Sequence, residues 1–117
     1  MEIKFDDAAM AKLSPHLAAD KRMLLTFEDG VGHYSQHAMI HMQVQFTINI
    51  IPSNEAAPDY DVEIPSNLGP VAIKGYSQED LDPHMVVKFD DHMDIFTLSG
   101  DGGMIDDHLG FIDFTES

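Results

Sequence analysis

Three histidines spaced by four residues, His33, His37 and His41, have the side-chain type and spacing of candidate metal ligands. Imidazole binds iron, zinc, copper and nickel in proteins. On a strand, His37 and His41 would share a face but lie about 13 Å apart, too far to ligate one tetrahedral metal ion. A loop over Gly32–Gln36 would instead bring His33 and His37 together. These two are therefore the leading candidate ligands, and His41 is a distant third. The commoner explanation of such a pattern is that the histidines are exposed and bind no metal.

Two acidic segments, Asp90–Asp94 and Asp106–His108, also contain ligand-type side chains. Neither has the alternating oxygens, central glycine and terminal glutamate of a calcium-binding EF-hand loop. We predict that both are solvated hairpin tips, because Asp is a common turn residue. Gly100–Gly103 lacks the lysine and hydroxyl residue of a phosphate-binding P-loop and is predicted to be another turn.

The chain contains no cysteine, which excludes disulfides, thiolate metal sites, thiolate-held clusters and cysteine nucleophiles. Ser35 has histidines nearby but not the Gly-x-Ser-x-Gly turn of a serine hydrolase. No other pair of nucleophile and base stands out. The sequence therefore predicts a protein that is not an enzyme.

The formal net charge is −15 over 117 residues, with fifteen acids and two bases in residues 51–117. Such a surface repels nucleic-acid phosphates and anionic lipids, so we expect neither nucleic acid nor membrane as a partner. The first residues lack the basic and apolar regions of a signal peptide, and no apolar run approaches the roughly 18 residues of a membrane helix. A cytoplasmic location is expected, and the oligomeric state is left open.

The longest amphipathic stretch follows the histidines, over about Gln36 to Ile51. From Ala38 to Ile50 the even positions are apolar and the odd positions are mostly polar. This alternation predicts a strand with one buried and one wetter face. A strand of about fourteen residues is long, so a bend or bulge is expected.

Two helices are predicted within a single domain spanning residues 1–117. The first covers 7–19, with Asp6 or Asp7 as N-cap and a disturbance at Pro15. The second is a helix of one or two turns over Ser77–Asp82, with Ser77 as its N-cap.

Short strands separated by turn residues favour a sandwich or barrel over alternating βαβ units. The other predicted strands are Ile3–Phe5 at a sheet edge, Met23–Phe27, Tyr60–Ile64, Val71–Lys74, Met85–Phe89, Ile95–Ser99 and Phe111–Phe114.

Motifs along nearly the whole chain resemble the HesB-like iron–sulfur cluster biosynthesis domain, in particular its small cysteine-poor branch in low-GC Gram-positive bacteria. The similar segments are Ile3–Ala9, Leu24–Gly32, Tyr60–Val62, Ser66–Val71, Gly75–Ser77 and Leu98–Gly103. The resemblance implies an α+β, mostly β fold, a compact barrel-like arrangement of two small sheets with an N-terminal helix and one short helix.

The resemblance also implies where a ligand would lie. The A-type carriers of this superfamily hold iron or a cluster through one cysteine before the long strand and a Cys-Gly-Cys near the C-terminus. Here the loop carries His33–His37, and residues 110–117 contain no cysteine. We therefore expect a non-catalytic protein related to iron–sulfur cluster biosynthesis, binding iron or an assembly partner through this loop without a thiolate-bound cluster. The alternative is an acidic protein-interaction module with no metal.

Overall fold

The structure is a computed structural model that describes residues 1–28 and 46–115. Helix α1 covers Asp7–Leu13, and two 3₁₀-helices cover Ser14–His16 and Gly75–Asp80. The strands of the described residues, in chain order, are β1 Glu2–Phe5, β2 Lys21–Phe27, β3 Phe46–Pro52, β4 Val62–Ile64, β5 Val71–Ile73, β6 His84–Asp90, β7 Ile95–Gly100 and β8 Gly103–Asp113.

These strands form one continuous sheet in the order β1-β6-β7-β8-β3-β2-β5-β4. We call β1, β6, β7 and the first part of β8 sheet A, and the last part of β8 with β3, β2, β5 and β4 sheet B. β8 belongs to both, because its residues up to Leu109 pair with β7 and Gly110–Asp113 pair with β3. The sheet curls until it is nearly closed, which confirms the mostly β, barrel-like fold that the sequence predicts.

The two ends of the sheet meet where β1 approaches the segment that follows β4. Ile3 forms a parallel bridge with Ser66. The Asn67 side chain imitates a neighbouring strand, because its Oδ1 accepts from Phe5 N and its Nδ2 donates to Phe5 O, both at 2.9 Å. Gly69, at φ +102°, completes the turn in a backbone conformation that suits glycine. Part of the Ser-Asn-Leu-Gly-Pro motif thus covers the edge that β1 would otherwise expose.

The main core lies inside this curled sheet. α1 contributes Ala9 and Leu13, both fully buried. The inward-facing strand residues of the core include Ile3, Phe5, Met23, Leu25, Phe46, Ile48, Ile50, Val71, Ile73, Met85, Val87, Phe96, Leu98 and Leu109.

The disturbance predicted at Pro15 is confirmed, but the first predicted helix is too long. Asp6 does act as N-cap, since its Oδ1 accepts from Ala9 N at 2.8 Å, but α1 ends at Leu13. Pro15 lacks a backbone donor and cannot continue an α-helix, so Ser14–His16 forms one 3₁₀ turn and Leu17 is extended.

The N-cap predicted for the second helix is wrong. The 3₁₀-helix begins at Gly75, and Lys74 is its cap residue without a side-chain cap hydrogen bond. Ser77 is fully buried inside the helix, where its hydroxyl donates to Lys74 O at 2.6 Å.

The described part of the long predicted strand also differs from expectation, because both of its faces are buried. On the face expected to be wet, Asn49 and Ile51 are fully buried and Thr47 is 8% exposed. Ile51 packs with Leu24, Tyr60 and Ala72 in a second apolar cluster outside the main core. The residues of this prediction before Phe46 lie outside the described ranges.

The last strand begins earlier than predicted, at Gly103 instead of Phe111. Register shifts between β7 and β8 interrupt the alternation over these residues, which removes the pattern that indicates a strand. The turns on either side of β7 are confirmed. Asp90 Oδ1 accepts from the backbone N–H groups of His92 and Met93, and Gly100 pairs with Gly103.

Candidate functional site

The predicted ligands His33, His37 and His41 lie outside the described residues, between the last residues of β2 and the first of β3. These strands are antiparallel neighbours, and Phe27 of β2 is paired with Phe46 of β3. The chain therefore leaves sheet B and returns to it at adjacent positions, and the two rings pack with centroids 5.3 Å apart. We call residues 29–45 the histidine segment, because they contain His33, His37 and His41. We call Phe27 and Phe46 the base of the histidine segment.

Lys74 hydrogen-bonds to the first residue of this base, Phe27. Its side chain is fully buried directly after β5, and Nζ donates to Phe27 O at 2.8 Å. The ammonium also lies 5.9 Å from the ring centroid of Tyr60 and 5.8 Å from that of Tyr76. A buried ammonium is costly unless it is hydrogen-bonded, so these contacts fix the position of the end of β2.

Asp106 hydrogen-bonds to the second residue of the base, Phe46. Asp106 is 5% exposed, its Oδ2 accepts from Phe46 N at 2.8 Å, and its Oδ1 accepts from His108 N at 2.9 Å. The prediction that Asp106–His108 is a solvated hairpin tip is therefore wrong, because all three residues lie within β8. Asp107 and His108 are exposed there, whereas Asp106 is buried. The irregular pairing of β7 with β8 places Asp106 opposite Leu98, where it is buried. The buried side chains of Lys74 and Asp106, which carry opposite charges, thus hydrogen-bond to the backbone of the two base residues.

A buried polar chain crosses the outer face of sheet B beside this base. Thr26 donates its hydroxyl proton to Asn49 Oδ1, so the Tyr60 hydroxyl, 2.7 Å from Thr26 Oγ1, must be the donor in their hydrogen bond. Asn49 Nδ2 is buried and has no hydrogen-bond partner among the described residues. Glu28, at the end of this face, is 7% exposed. These polar side chains are buried because other parts of the chain, Tyr60 among them, pack over the outer face of sheet B.

A histidine–carboxylate pair joins the 3₁₀-helix after α1 to the end of β8. His16 Nδ1 lies 2.8 Å from Asp113 Oδ2, and the Asp113 side chain is 3% exposed. Burial raises the pKa of Asp113, but hydrogen bonds from Thr115 and His16, with attraction from Lys21, outweigh it and hold the pKa below its ordinary value. Sequence analysis missed this pair because 97 positions separate its members.

The other described histidines and carboxylates do not form a metal site. No group of three His, Cys, Asp or Glu side chains within residues 1–28 and 46–115 could hold a metal ion. His84 and Glu2 form an exposed pair at 3.3 Å. Since the whole chain lacks cysteine, a thiolate-held cluster does not fit it. No helix in the described part of the chain is long and apolar enough to cross a bilayer.

Comparison with known proteins identifies one family and solved structures of the same fold. The model of a family described as iron–sulphur cluster biosynthesis matches residues 1–113. The crystal structure of a proposed Fe–S biosynthesis protein from Lactobacillus salivarius superposes with a TM-score of 0.84 at 27% identity, covering 99% of this chain and 100% of the other. A second, from Lactobacillus acidophilus, gives a TM-score of 0.73 at 28% identity, covering 95% and 88%. No curated protein sequence matches the chain significantly.

Proposed function

This chain belongs to the iron–sulphur cluster biosynthesis family, and from that premise we propose that it is a non-catalytic, cytoplasmic member that binds ferrous iron through His33 and His37. His41 is a third candidate ligand. The bound iron would be cargo for protein partners in iron–sulfur assembly. The main support for the proposal is that both residues of the base are fixed by buried side chains. Lys74 hydrogen-bonds to one of them and Asp106 to the other.

The ligand chemistry supports iron and argues against a preformed cluster. Without cysteine, the chain offers imidazole and carboxylate, which are ligands for ferrous iron, whereas clusters in proteins are usually held by thiolates. The resemblance implies a family ligand just before the long predicted strand, and His33 and His37 occur in this part of the sequence.

The base supports the proposal energetically. A binding site costs less conformational entropy to assemble when the chain on either side of it is already held in place. Phe27 and Phe46 are held at adjacent, buried positions before any ion binds. Buried hydrogen bonds to Phe27 O and Phe46 N supply this constraint.

Anaerobic titration with ferrous iron, followed by calorimetry, tests the proposal on the wild type and on a His33→Ala/His37→Ala variant. We expect binding by the wild type and none by the double variant, with a smaller loss for His41→Ala. His84→Ala/His92→Ala is the matched control, because it removes two exposed histidines elsewhere and should leave binding unchanged. The proposal is contradicted if the wild type does not bind ferrous iron, or if both double variants bind it equally.

A second candidate function is an acidic module that docks a basic protein partner without metal. Residues 51–117 contain two basic side chains, Lys74 and Lys88, and the fold buries Lys74 completely. Lys88 is therefore the only lysine or arginine that this half exposes within the described residues. Pull-down at increasing salt distinguishes this function, because an electrostatic complex weakens as charges are screened and should not depend on His33 or His37.

A further inference from the structure

A pocket of about 290 Å³ opens where α1 meets the ends of β6, β7 and β8. Phe89 is paired with Phe96 across β6 and β7, and Phe96 with Leu109 across β7 and β8. The pocket is therefore the place where the aromatic end of the main core reaches the surface. Its lining includes Lys12, Phe89, Asp94, Phe96, Leu109 and Phe111.

Three phenyl rings form the apolar wall of this pocket. The ring centroids of Phe89 and Phe96 are 4.8 Å apart, and those of Phe96 and Phe111 are 6.0 Å apart. The rings are inclined by 55° and 53°, an arrangement in which ring edges and faces are both presented. Such a wall favours another aromatic ring, which can add edge-to-face contacts beyond simple burial of area.

A single ammonium group stands at the rim. Lys12 Nζ lies 5.1 Å from the Phe89 ring centroid and 3.8 Å from Asp94 Oδ1. The Lys12 and Asp94 side chains are 54% and 80% exposed, so their ion pair is long, solvated and weak. A ligand carboxylate placed against the phenyl wall would meet Lys12 in a less solvated position and would replace Asp94 as its partner.

We propose that this pocket binds a small aromatic monocarboxylate, with the ring against Phe89, Phe96 and Phe111 and the carboxylate on Lys12. The volume lies at the lower end of the range for small-molecule sites, which limits the ligand to about one ring. The site shares no residue with the base of the histidine segment and does not depend on iron.

Benzoate is the probe, and its binding to the full chain is followed by ligand-observed and protein-observed NMR. We expect millimolar or tighter binding, with the largest shifts at Lys12, Phe89 and Phe111. Benzamide, which lacks the charge, and cyclohexanecarboxylate, which lacks the ring, should each bind at least several-fold more weakly. If benzamide binds as tightly as benzoate, the assignment of the carboxylate to Lys12 is wrong. If cyclohexanecarboxylate binds as tightly, the assignment of the ring to the phenyl wall is wrong. No binding of benzoate would overturn the whole proposal.

Two substitutions locate the site. Lys12→Met should weaken benzoate about tenfold, whereas Lys88→Met, at an exposed lysine outside the pocket, should not change the affinity. Asp94→Asn should strengthen binding, because it removes a competing carboxylate, and Asn tolerates the positive φ of 58° at this position. Unchanged affinity in Lys12→Met, with its spectrum showing a folded protein, contradicts the assignment.

Discussion

Sheets A and B share β8 and the main core, but their outer faces differ. On sheet A the outward positions include Lys4, His84 and Lys88, all exposed. On β2, β3 and β5 of sheet B most outward side chains are buried, namely Leu24, Thr26, Thr47, Asn49, Ile51, Ala72 and, directly after β5, Lys74. Towards the margins of this face Arg22 and Ile112 are half-buried and Glu63 is exposed. The outer face of sheet B is therefore covered, in part by Tyr60 and the second apolar cluster, whereas the outer face of sheet A is solvated at these positions. Sheet B is also where the histidine segment begins and ends.

The largest expected effect compares a buried lysine on sheet B with an exposed lysine on sheet A. Lys74→Ala leaves Phe27 O without this donor and opens a cavity, so we expect the free energy of unfolding to fall by about 3 kcal/mol. Lys88→Ala should change it by less than about 0.5 kcal/mol. Urea denaturation measures both, and similar losses in the two variants would erase the distinction between the faces.

The other side of the base can be tested with neighbouring aspartates. Asp106→Asn replaces one carboxylate oxygen with a donor, so one of the hydrogen bonds from Phe46 N and His108 N must be lost. We expect a loss of about 2 kcal/mol in the free energy of unfolding. Asp107→Asn changes an exposed side chain next to it and should have almost no effect. If the Asp107 variant is the less stable, the burial of Asp106 is wrong.

The seam that joins the far edges of sheets A and B should give a smaller effect. Asn67→Ala removes both hydrogen bonds from this exposed residue to the backbone of the buried Phe5. We expect a loss of about 1 kcal/mol and faster amide exchange at Phe5. Asn54→Ala, in the exposed loop after β3, is the control and should leave exchange at Phe5 unchanged. Unaltered exchange in the Asn67 variant would mean that this side chain does not close the barrel.

The smallest effect concerns Asp113, at the end of the strand that both sheets share. Its folded pKa is lowered below the ordinary value of 3.8, so its ionised form stabilises the fold above that value. This contribution is lost as the pH falls through the lowered folded pKa. Denaturation at a series of acidic pH values should show a shallower decline in stability for Asp113→Asn than for the wild type. The exposed control Asp59→Asn should keep the wild-type slope, and an equally steep decline in Asp113→Asn would contradict the account.

The elements that sequence analysis located best are those whose signals are local. Met85–Phe89 and Ile95–Ser99 are short runs rich in apolar and β-branched residues, and the acidic turn between them hydrogen-bonds within itself. β6 and β7 therefore lie where the sequence predicts them. The first part of β8 was missed because the bulged pairing with β7 interrupts its alternation. Tertiary pairing, which is not encoded in a single stretch of sequence, determines that strand.

The site was less predictable for the same reason. Asp106 resembles a turn residue in the sequence, and its burial depends on a register shift against β7. Lys74 ends a short strand, and its role follows from a carbonyl 47 positions away. The roles of His33, His37 and His41 stay a prediction, because these residues lie outside the described ranges.

Elemental analysis of the chain purified without affinity tag or chelator measures directly whether the protein carries iron. We expect iron without acid-labile sulfide in the wild type, and loss of that iron in His33→Ala/His37→Ala but not in His84→Ala/His92→Ala. Iron accompanied by matching sulfide, or a wild type free of iron that also fails to take up ferrous ion, would contradict the proposed function.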